Sequence, residues 1–208
     1  MGISKQQANQ NREAILVAAE KLFREKGMNS VGLNDLMEAA GFTRGGFYNH
    51  FKSKDDLVAA VIDKATQKGA ADLGAAISTA RAKHRDPLDS EIAFYLSAQH
   101  REDIEGGCPL SGFVGEARHF DETAQEVYAR GLERNFELFA DVIAKRGVSP
   151  EEARAHAIAA FSQMVGALLL SRAVAISAPS LSDEIVETVR HELRAASKAH
   201  RQELGRSK

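Results

Sequence analysis

Residues 33–57 read LNDLMEAAGFTRGGFYNHFKSKDDL, and their pattern of apolar, small and glycine residues is the strongest indication of fold in the N-terminal region. Three apolar side chains at helical spacing predict the inner face of a first short helix: Leu33, Leu36 and Met37. Ala40 is small enough for two helices to cross closely, and Gly41 allows the sharp turn that follows. The stretch therefore predicts two helices joined by a tight turn.

The second helix of this pair is predicted over Thr43–Phe51, with Thr43 as its N-terminal cap. Phe47 and Phe51 stand four residues apart and are expected to face the interior. The remaining side chains point outward or lie at the leading end of the helix: Thr43, Arg44, Gly45, Tyr48, Asn49 and His50. A helix that presents such side chains at its N-terminal end is suited to the major groove of DNA.

This stretch resembles the N-terminal domain of the TetR family of bacterial transcriptional regulators. The matching positions are Asp35-Leu36, Ala39-Ala40-Gly41, Thr43, Gly46, Phe47-Tyr48, His50-Phe51, Ser53-Lys54 and Asp56-Leu57. They fall at the family's spacing, and the resemblance covers about residues 10–61. The competing interpretation is an amphipathic helical hairpin in an unrelated bundle, which does not account for so many matched positions.

The resemblance implies a role for each outward residue. Base edges would be approached by Thr43, Arg44 and Gly45; phosphates would be held by Tyr48, His50 and Lys54; Asn49 also points outward. Lys5 and Arg12, in the N-terminal arm, would add contacts to the DNA backbone. For each basic residue alone, the alternative is a solvated surface charge.

Two positions depart from the family's pattern. Gly32 stands where a hydroxyl usually caps the first helix of the motif. Gly45 and Gly46 weaken their helix by about 1 kcal/mol per glycine relative to alanine, and they also permit close approach of the backbone to DNA. The alternative is that the two glycines make no such contact and only leave the start of the helix loop-like.

The rest of the chain is also predicted to be helical, because helix-forming residues dominate and alternating β-branched runs are missing. We predict an all-α fold of about nine helices. An N-terminal three-helix helix-turn-helix domain would occupy residues 1–53, and a helical effector-binding and dimerisation domain residues 54–208. A long helix starting near Lys54 would link them. Later helices are expected to start at Pro87, Pro109, Asp121, Pro150 and Ser182. The helix that starts at Pro150 is expected to reach Ile176, and Pro179 is expected to stop it.

The formal net charge of −2 argues against general coating of nucleic acid, so any DNA contact must be local. The N-terminus lacks a secretory signal, and the most apolar run, Val165–Leu170, is too short to span a bilayer. A cytoplasmic protein without a membrane partner is therefore expected. The sequence contains no paired acid–base motif, metal-ligand spacing or nucleotide-binding fingerprint, so we expect no enzymatic activity, cofactor or metal.

Aromatic residues make up 6% of the chain and concentrate in the predicted C-terminal helices. We therefore expect a pocket there for an apolar or aromatic small-molecule effector. The candidate lining residues are Phe94, Tyr95, Phe113, Phe120, Phe136, Phe139, Phe161 and Met164. For any one of them, packing in the core is the alternative.

The resemblance also implies that the last two helices pair with those of a second copy. Their apolar stripes fit such an interface, with closure of the monomer core as the alternative. Independently, a palindromic operator in double-stranded DNA needs two recognition helices about 34 Å apart. A homodimer is therefore expected.

Cys108 is the single cysteine, so an intramolecular disulfide is excluded and a reducing compartment fits. Pro109 places it just before a helix N-terminus, where backbone N–H groups stabilise a thiolate. The GGCPL stretch resembles one in a TetR subgroup that includes electrophile- and oxidant-responsive repressors; a small residue that caps the helix is the alternative.

The sequence thus predicts a repressor that a small-molecule effector releases from its operator. The alternative within regulation is a thiol-switched repressor acting through Cys108. From a different class, a helical enzyme or transport-type binder is the remaining alternative.

Overall fold

The computed structural model of the chain describes residues 4–206, with side chains described as far as Lys198. Within that range the regular elements are nine α-helices and two 3-10 helices, with no strand. The α-helices are α1 (Lys5–Lys26), α2 (Leu33–Ala39), α3 (Lys54–Ala82), α4 (Pro87–Tyr95), α5 (Ala98–Glu102), α6 (Pro109–Phe113), α7 (Glu122–Ala144), α8 (Pro150–Val174) and α9 (Pro179–Arg206). The 3-10 helices are Arg44–Asn49 and Ala117–His119. The predicted all-α class is confirmed.

The chain forms two compact units, and neither is a continuous piece of sequence. Unit 1 contains the chain up to Lys68 together with Ile104–Gly131. Unit 2 contains Gly69–Asp103 together with the chain from Leu132 onward. α3 and α7 each pass from one unit into the other. These units are defined by packing, and the functional division predicted between residues 53 and 54 stays a prediction.

Unit 1 is built on the apolar face of α1, whose buried residues recur at helical spacing: Ile15, Leu16, Ala19 and Phe23. Ser4 caps this helix, since its Oγ accepts a hydrogen bond from Gln7 N at 3.1 Å. Gly27 ends it with a φ of +80°, in the left-handed region that favours glycine. α1 packs against α2, and α2 packs against the 3-10 helix Arg44–Asn49.

Unit 2 is held by the packing of α8 on α9, with α4 against α9 and α5 against α8. Asp86 caps α4 by accepting a hydrogen bond from Asp89 N at 2.8 Å. Ser149 and Glu152 form a capping box at the start of α8. The helix starts predicted at Pro87 and Pro150 are therefore confirmed.

Some predicted boundaries are wrong. α9 begins at Pro179, where the sequence predicted a stop, because proline fits the first position of a helix and its missing N–H costs nothing there. Ser182 does not cap this helix, since its Oγ is buried and donates to Ser171 O at 2.9 Å. α8 ends at Val174 and not at Ile176.

α8 is long and apolar enough, by length and composition, to cross a membrane. Its 25 residues include an 18-residue window of mean hydropathy 1.6, of which 39% is buried inside the chain. The run Val165–Leu170 is only part of this window, because alanines extend the apolar character well beyond it. Buried core helices of globular proteins have the same length and composition, so this helix alone is weak evidence of a membrane span. α8 therefore has an apolar surface that the fold of one chain leaves partly open.

Gly131 on α7 marks a close helix crossing. A Cβ at this position would lie 2.8 Å from Cβ and Cγ2 of Thr66 on α3. We expect Gly131→Ala to lower the free energy of unfolding by about 1–3 kcal/mol, because the methyl group overpacks the crossing. Gly74→Ala is the matched control, since a Cβ there meets nothing within 4 Å. It should raise the unfolding free energy by about 0.5–1 kcal/mol. Chemical denaturation measures both changes, and equal effects would contradict the close crossing.

Candidate DNA interface and effector site

The 3-10 helix Arg44–Asn49 is anchored by two buried aromatic rings. Phe47 is 0% exposed and Phe51 is 2% exposed, and their ring centroids lie 5.7 Å apart. Gly41 supplies the turn before the helix, with a φ of +78°. Because both phenylalanines point inward, the side chains beside them are turned away from the core.

The predicted DNA-contacting residues lie on this outward surface. Thr43, Arg44, Gly45, Tyr48 and Asn49 are exposed, and His50 is half-buried. Tyr48 is 64% exposed although it is a large aromatic residue, and its ring meets Phe47 edge-on at 5.3 Å. The structure thus brings these residues together on one short element.

The type of this element differs from the prediction. The sequence predicted an α-helix over Thr43–Phe51, whereas the structure has a six-residue 3-10 helix, Arg44–Asn49. Thr43 occupies the capping position, but its side chain makes no capping hydrogen bond. The Gly45-Gly46 pair accounts for the tighter helix, since glycine gives an α-helix little intrinsic support. No atom lies within 4 Å of a Cβ placed on Gly45, so its backbone is open to a ligand.

Gly32 is the N-terminal cap of α2, and Asp35 compensates in part for the missing hydroxyl. Asp35 Oδ2 accepts a hydrogen bond from Gly32 N at 3.3 Å. This contact is half of a capping box, so the start of α2 retains some local support. The Asp35 contact does not replace the missing hydroxyl as a side-chain group at position 32 that could contact phosphate.

The basic residues of the predicted interface have different surroundings. The Arg12 guanidinium lies 4.8 Å from the centroid of the Phe51 ring, which holds α1 beside the end of the 3-10 helix. Lys54 Nζ donates to Met28 O at 2.6 Å, which uses one of the three donors of an ammonium group. Lys5 is exposed at the first position of α1. Their contacts with phosphate stay predictions.

An aromatic cluster in unit 2 contains five of the eight predicted pocket residues. Phe161 on α8 is its centre, with ring centroids at 5.8 Å from Tyr95, 6.0 Å from Phe136 and 6.0 Å from Phe139. Met164 is completely buried on the same helix, whereas Phe94 is 52% exposed. Phe94 joins the cluster through His100, at 5.3 Å. We call Phe94, Tyr95, His100, Phe136, Phe139 and Phe161 the aromatic cluster.

Phe113 and Phe120 belong to unit 1 and not to this cluster. Phe113 is 1% exposed and lies under the Arg24 guanidinium. Phe120 meets the ring of Tyr128 at 6.1 Å. Burial raises the pKa of the Tyr128 hydroxyl, which donates to Leu110 O at 2.6 Å. The eight predicted residues are therefore divided between the two compact units.

Three polar residues on the helices of the aromatic cluster were not predicted from the sequence. His100 is 3% exposed, and burial lowers the pKa of its imidazole. Its Nδ1 lies 2.8 Å from Tyr95 O and must carry the proton, because a carbonyl only accepts. Burial raises the pKa of Glu91 to about 7. Asn135 is 7% exposed, and its Oδ1 has no hydrogen-bond partner among the described residues. The one signal in the sequence that could have identified these three residues is their position on the inward faces of predicted helices.

Cys108 lies at the N-terminal cap position of α6 and is half-buried. Its carbonyl accepts hydrogen bonds from Ser111 Oγ and Gly112 N, both at 3.0 Å. The predicted placement before a helix N-terminus is confirmed. Among the described residues, no group of three or more histidine, cysteine, aspartate or glutamate residues could hold a metal ion.

α1, α2 and the 3-10 helix, which turns Arg44 and Tyr48 outward from the buried Phe47, form the helix-turn-helix arrangement found in DNA-binding proteins. The sequence matches the model of bacterial regulatory proteins of the tetR family over residues 15–61. It matches the model of the LmrA/YxaF-like transcriptional regulator C-terminal domain over residues 87–180. The chain belongs to the TetR family, and it is a DNA-binding transcriptional regulator and not an enzyme.

Individual relatives agree with this assignment. An uncharacterised HTH-type transcriptional regulator of Mycobacterium tuberculosis is 30% identical over 169 residues, which cover 77% of this chain and 84% of the relative. The regulator AcrR of Shigella flexneri is 46% identical over 54 residues, 26% of this chain and 25% of AcrR. A TetR regulator from Legionella pneumophila has a TM-score of 0.68 at 25% identity, over 94% of this chain and 99% of its own. The reduced form of E. coli NemR shares the fold, with a TM-score of 0.73 at 18% identity over 89% of this chain and 96% of its own.

Glu91 should make the stability of the protein depend on pH. Its pKa of about 7 in the folded chain exceeds the ordinary value of 4.5, so the folded carboxyl keeps its proton where the unfolded one has lost it. Stability should therefore fall as pH rises from about 4.5 to 7. We expect Glu91→Gln to be more stable than the wild type at pH 8 by about 1–3 kcal/mol. The difference should vanish near pH 4.

Urea denaturation of both proteins across this pH range measures the effect. Glu184→Gln, at an exposed position of α9, is the control and should leave the pH profile unchanged. Parallel profiles for the wild type and Glu91→Gln would show that the Glu91 carboxyl is solvated and not buried.

Proposed function

We propose that the protein is a repressor that binds a palindromic operator as a homodimer and leaves it when a small-molecule effector binds. The observation that carries the proposal is the exposed surface around Arg44 and Tyr48, built on the buried Phe47 and Phe51. A dimer would present this surface twice, to two half-sites of double-stranded DNA. We place the protein in the cytoplasm, where its DNA is.

In the proposed complex with the operator, some of these residues would contact base edges and others would contact phosphates. Arg44, with Thr43 and Gly45, would face base edges, since a guanidinium fits the O6 and N7 acceptors of guanine. Phosphates would be held by Tyr48, Asn49, His50, Lys54, Lys5 and Arg12. Phosphate contacts set register and affinity, whereas base contacts set sequence preference.

The dimer interface is proposed on α8 and α9. No Asp, Glu, Lys or Arg occurs from Ala155 to Ser171, an uncharged stretch within α8. Leu170 is 61% exposed and Ile158 37% exposed, and Leu181 on α9 is 46% exposed. Apolar surface of this kind is buried when a second copy packs its own α8 and α9 against it.

The effector site is proposed at the aromatic cluster of unit 2. Aromatic rings would hold an apolar or aromatic effector, and Glu91 and Asn135 offer it hydrogen-bonding groups. α3 begins at Lys54 in unit 1 and continues into unit 2, so it can carry a change of state between effector and DNA. This proposal retains residues 1–53 as the DNA-binding part and residues 54–208 as the sensing part.

A thiol-switched repressor is the second candidate. Cys108 is half-buried at the cap of α6, and α6 belongs to the same compact unit as the helix-turn-helix. This position is the observation that favours the candidate, because an adduct on the sulfur would disturb packing in the unit that contains the DNA-binding helices.

Operator binding is tested with a duplex that the wild-type protein selects from a random-sequence library. We expect Arg44→Ala to raise the Kd for this duplex about 5- to 150-fold and to relax the sequence preference, because one bidentate base contact is lost. Fluorescence anisotropy measures the Kd, and repeated selection measures the preference.

Arg81→Ala removes the same charge from an exposed position of α3 within unit 2. This matched control should bind the duplex like the wild type. Equal Kd values for Arg44→Ala and Arg81→Ala would refute the proposed role of Arg44. Failure of the wild type to select any duplex would refute operator binding itself.

The dimer is tested by placing a charge on the proposed interface. We expect Leu170→Glu to shift the protein from twice the chain mass of 22.6 kDa to the single mass, because a carboxylate cannot be buried there without a partner. Light scattering after gel filtration measures the mass. Ala76→Glu, at an exposed position of α3, should stay dimeric. A Leu170→Glu protein of unchanged mass would exclude this face.

A further inference from the structure

Residues 105–116, which we call the latch segment, pack with the helix-turn-helix unit although they follow it by some fifty residues in the sequence. The segment includes α6 and belongs to unit 1. It meets two places on the first helices: the C-terminal half of α1 and the turn between α1 and α2, residues 27–32. The DNA-binding fold is therefore completed by a part of the chain that the sequence assigns to sensing.

Arg24 holds one end of the latch segment. Its Nη1 donates to Gly107 O at 3.0 Å, and its guanidinium lies 5.1 Å from the centroid of the Phe113 ring. Nη2 donates to Glu20 Oε1 at 2.9 Å, and the arginine side chain is 3% exposed. A charge so deeply buried is tolerated only while its partners stay in place. Movement of the segment away from α1 is therefore strongly opposed.

Glu116 holds the other end. Its two carboxylate oxygens accept from Met28 N at 3.0 and 2.8 Å. Lys54 Nζ donates to Met28 O at 2.6 Å. Both polar backbone groups of Met28 are thus bound by side chains from outside the turn, and Met28 itself is 4% exposed.

Gly27 makes this contact possible. A Cβ at Gly27 would lie 3.0 Å from Glu116 Oε1, closer than side chains normally approach. The φ of +80° at the same residue also favours glycine. The end of α1 is therefore shaped to receive the Glu116 carboxylate.

We propose that Glu116 is a positioning residue for operator binding: it fixes the α1–α2 turn from which α2 and the 3-10 helix Arg44–Asn49 project. The latch segment leads into α7, which continues into unit 2. A change of state in unit 2 can thus reach the turn through α7 and Glu116, as well as through α3. This inference rests on the operator binding proposed above.

The test compares Glu116→Ala and Glu116→Gln with the wild type on the duplex that the wild type selects. We expect Glu116→Ala to raise the Kd about 5- to 100-fold, the range of typical coupling between sites. Glu116→Gln should give a smaller increase, because its amide oxygen still accepts from Met28 N. The slope of log K against log salt should stay at the wild-type value, since Glu116 replaces no phosphate contact. Hydrogen exchange of the Met28 amide should become faster in Glu116→Ala.

Two controls separate positioning from general effects. Glu133→Ala removes the same charge from an exposed residue that pairs with Arg154 in unit 2, and it should leave the Kd unchanged. Ile143→Val weakens the core of unit 2 and should lower the unfolding free energy without raising the Kd. Should Glu116→Ala fail to fold, Glu116→Gln carries the same comparison of Kd and exchange.

Three results would overturn the inference. An unchanged or lower Kd in Glu116→Ala, with a rapidly exchanging Met28 amide, would show that the turn does not position the DNA-binding helices. A salt slope reduced by about 1 would show that the variant has lost a phosphate contact. A wild type that selects no duplex would refute operator binding first, a failure visible before any variant is made.

Discussion

The burial of Phe47 and Phe51 is the constraint on which the rest of the DNA-binding unit depends. The 3-10 helix that they anchor contains two adjacent glycines, which together disfavour a helix by about 2 kcal/mol relative to alanine. Full burial of a phenylalanine side chain contributes about 1.5–3 kcal/mol, so two of them outweigh that cost. The outward surface around Arg44 is therefore held by packing beneath it and not by helix propensity. Packing also fixes which residues face outward, because the positions of the two rings determine the rotation of the short helix.

A second constraint acts on the turn between α1 and α2. The backbone of Met28 is bound on one side by Glu116 and on the other by Lys54, residues that stand far apart in the sequence. Arg24 adds a buried charge whose partners include Glu20 and the carbonyl of Gly107. These contacts make one compact unit from two separate pieces of the chain. In this chain the helix-turn-helix thus packs in one compact unit with a segment that follows it by some fifty residues in the sequence. α7 continues from this unit into unit 2.

Local signals in the sequence predicted most of the helices and the helix-turn-helix surface, because caps, prolines and apolar spacing act over a few residues. Asp86-Pro87 and Ser149-Pro150 are examples, since each pair contains both a cap and the first residue of a helix. Pro179 is ambiguous in the sequence because proline can both end and begin a helix, and the buried hydrogen bond from Ser182 Oγ to Ser171 O could not be predicted. The 3-10 geometry of Arg44–Asn49 was not predicted, although the Gly45-Gly46 pair indicated a weakened helix. The contact of Glu116 with Met28 could not be predicted, since no pattern links residues 88 positions apart. For the same reason no pattern in the sequence separates Phe113 and Phe120, which pack in unit 1, from the aromatic residues of unit 2.

The central claim is that the surface around Arg44 enters a groove of double-stranded DNA twice in each assembly. Hydroxyl-radical footprinting of the wild-type protein on its selected duplex tests this claim most directly. We expect two protected patches of equal extent, related by the two-fold axis of the duplex. Their centres should lie about 34 Å apart, which is one turn of the DNA helix, or a whole multiple of that distance. A single protected patch, or uniform weak protection along the duplex, would contradict it.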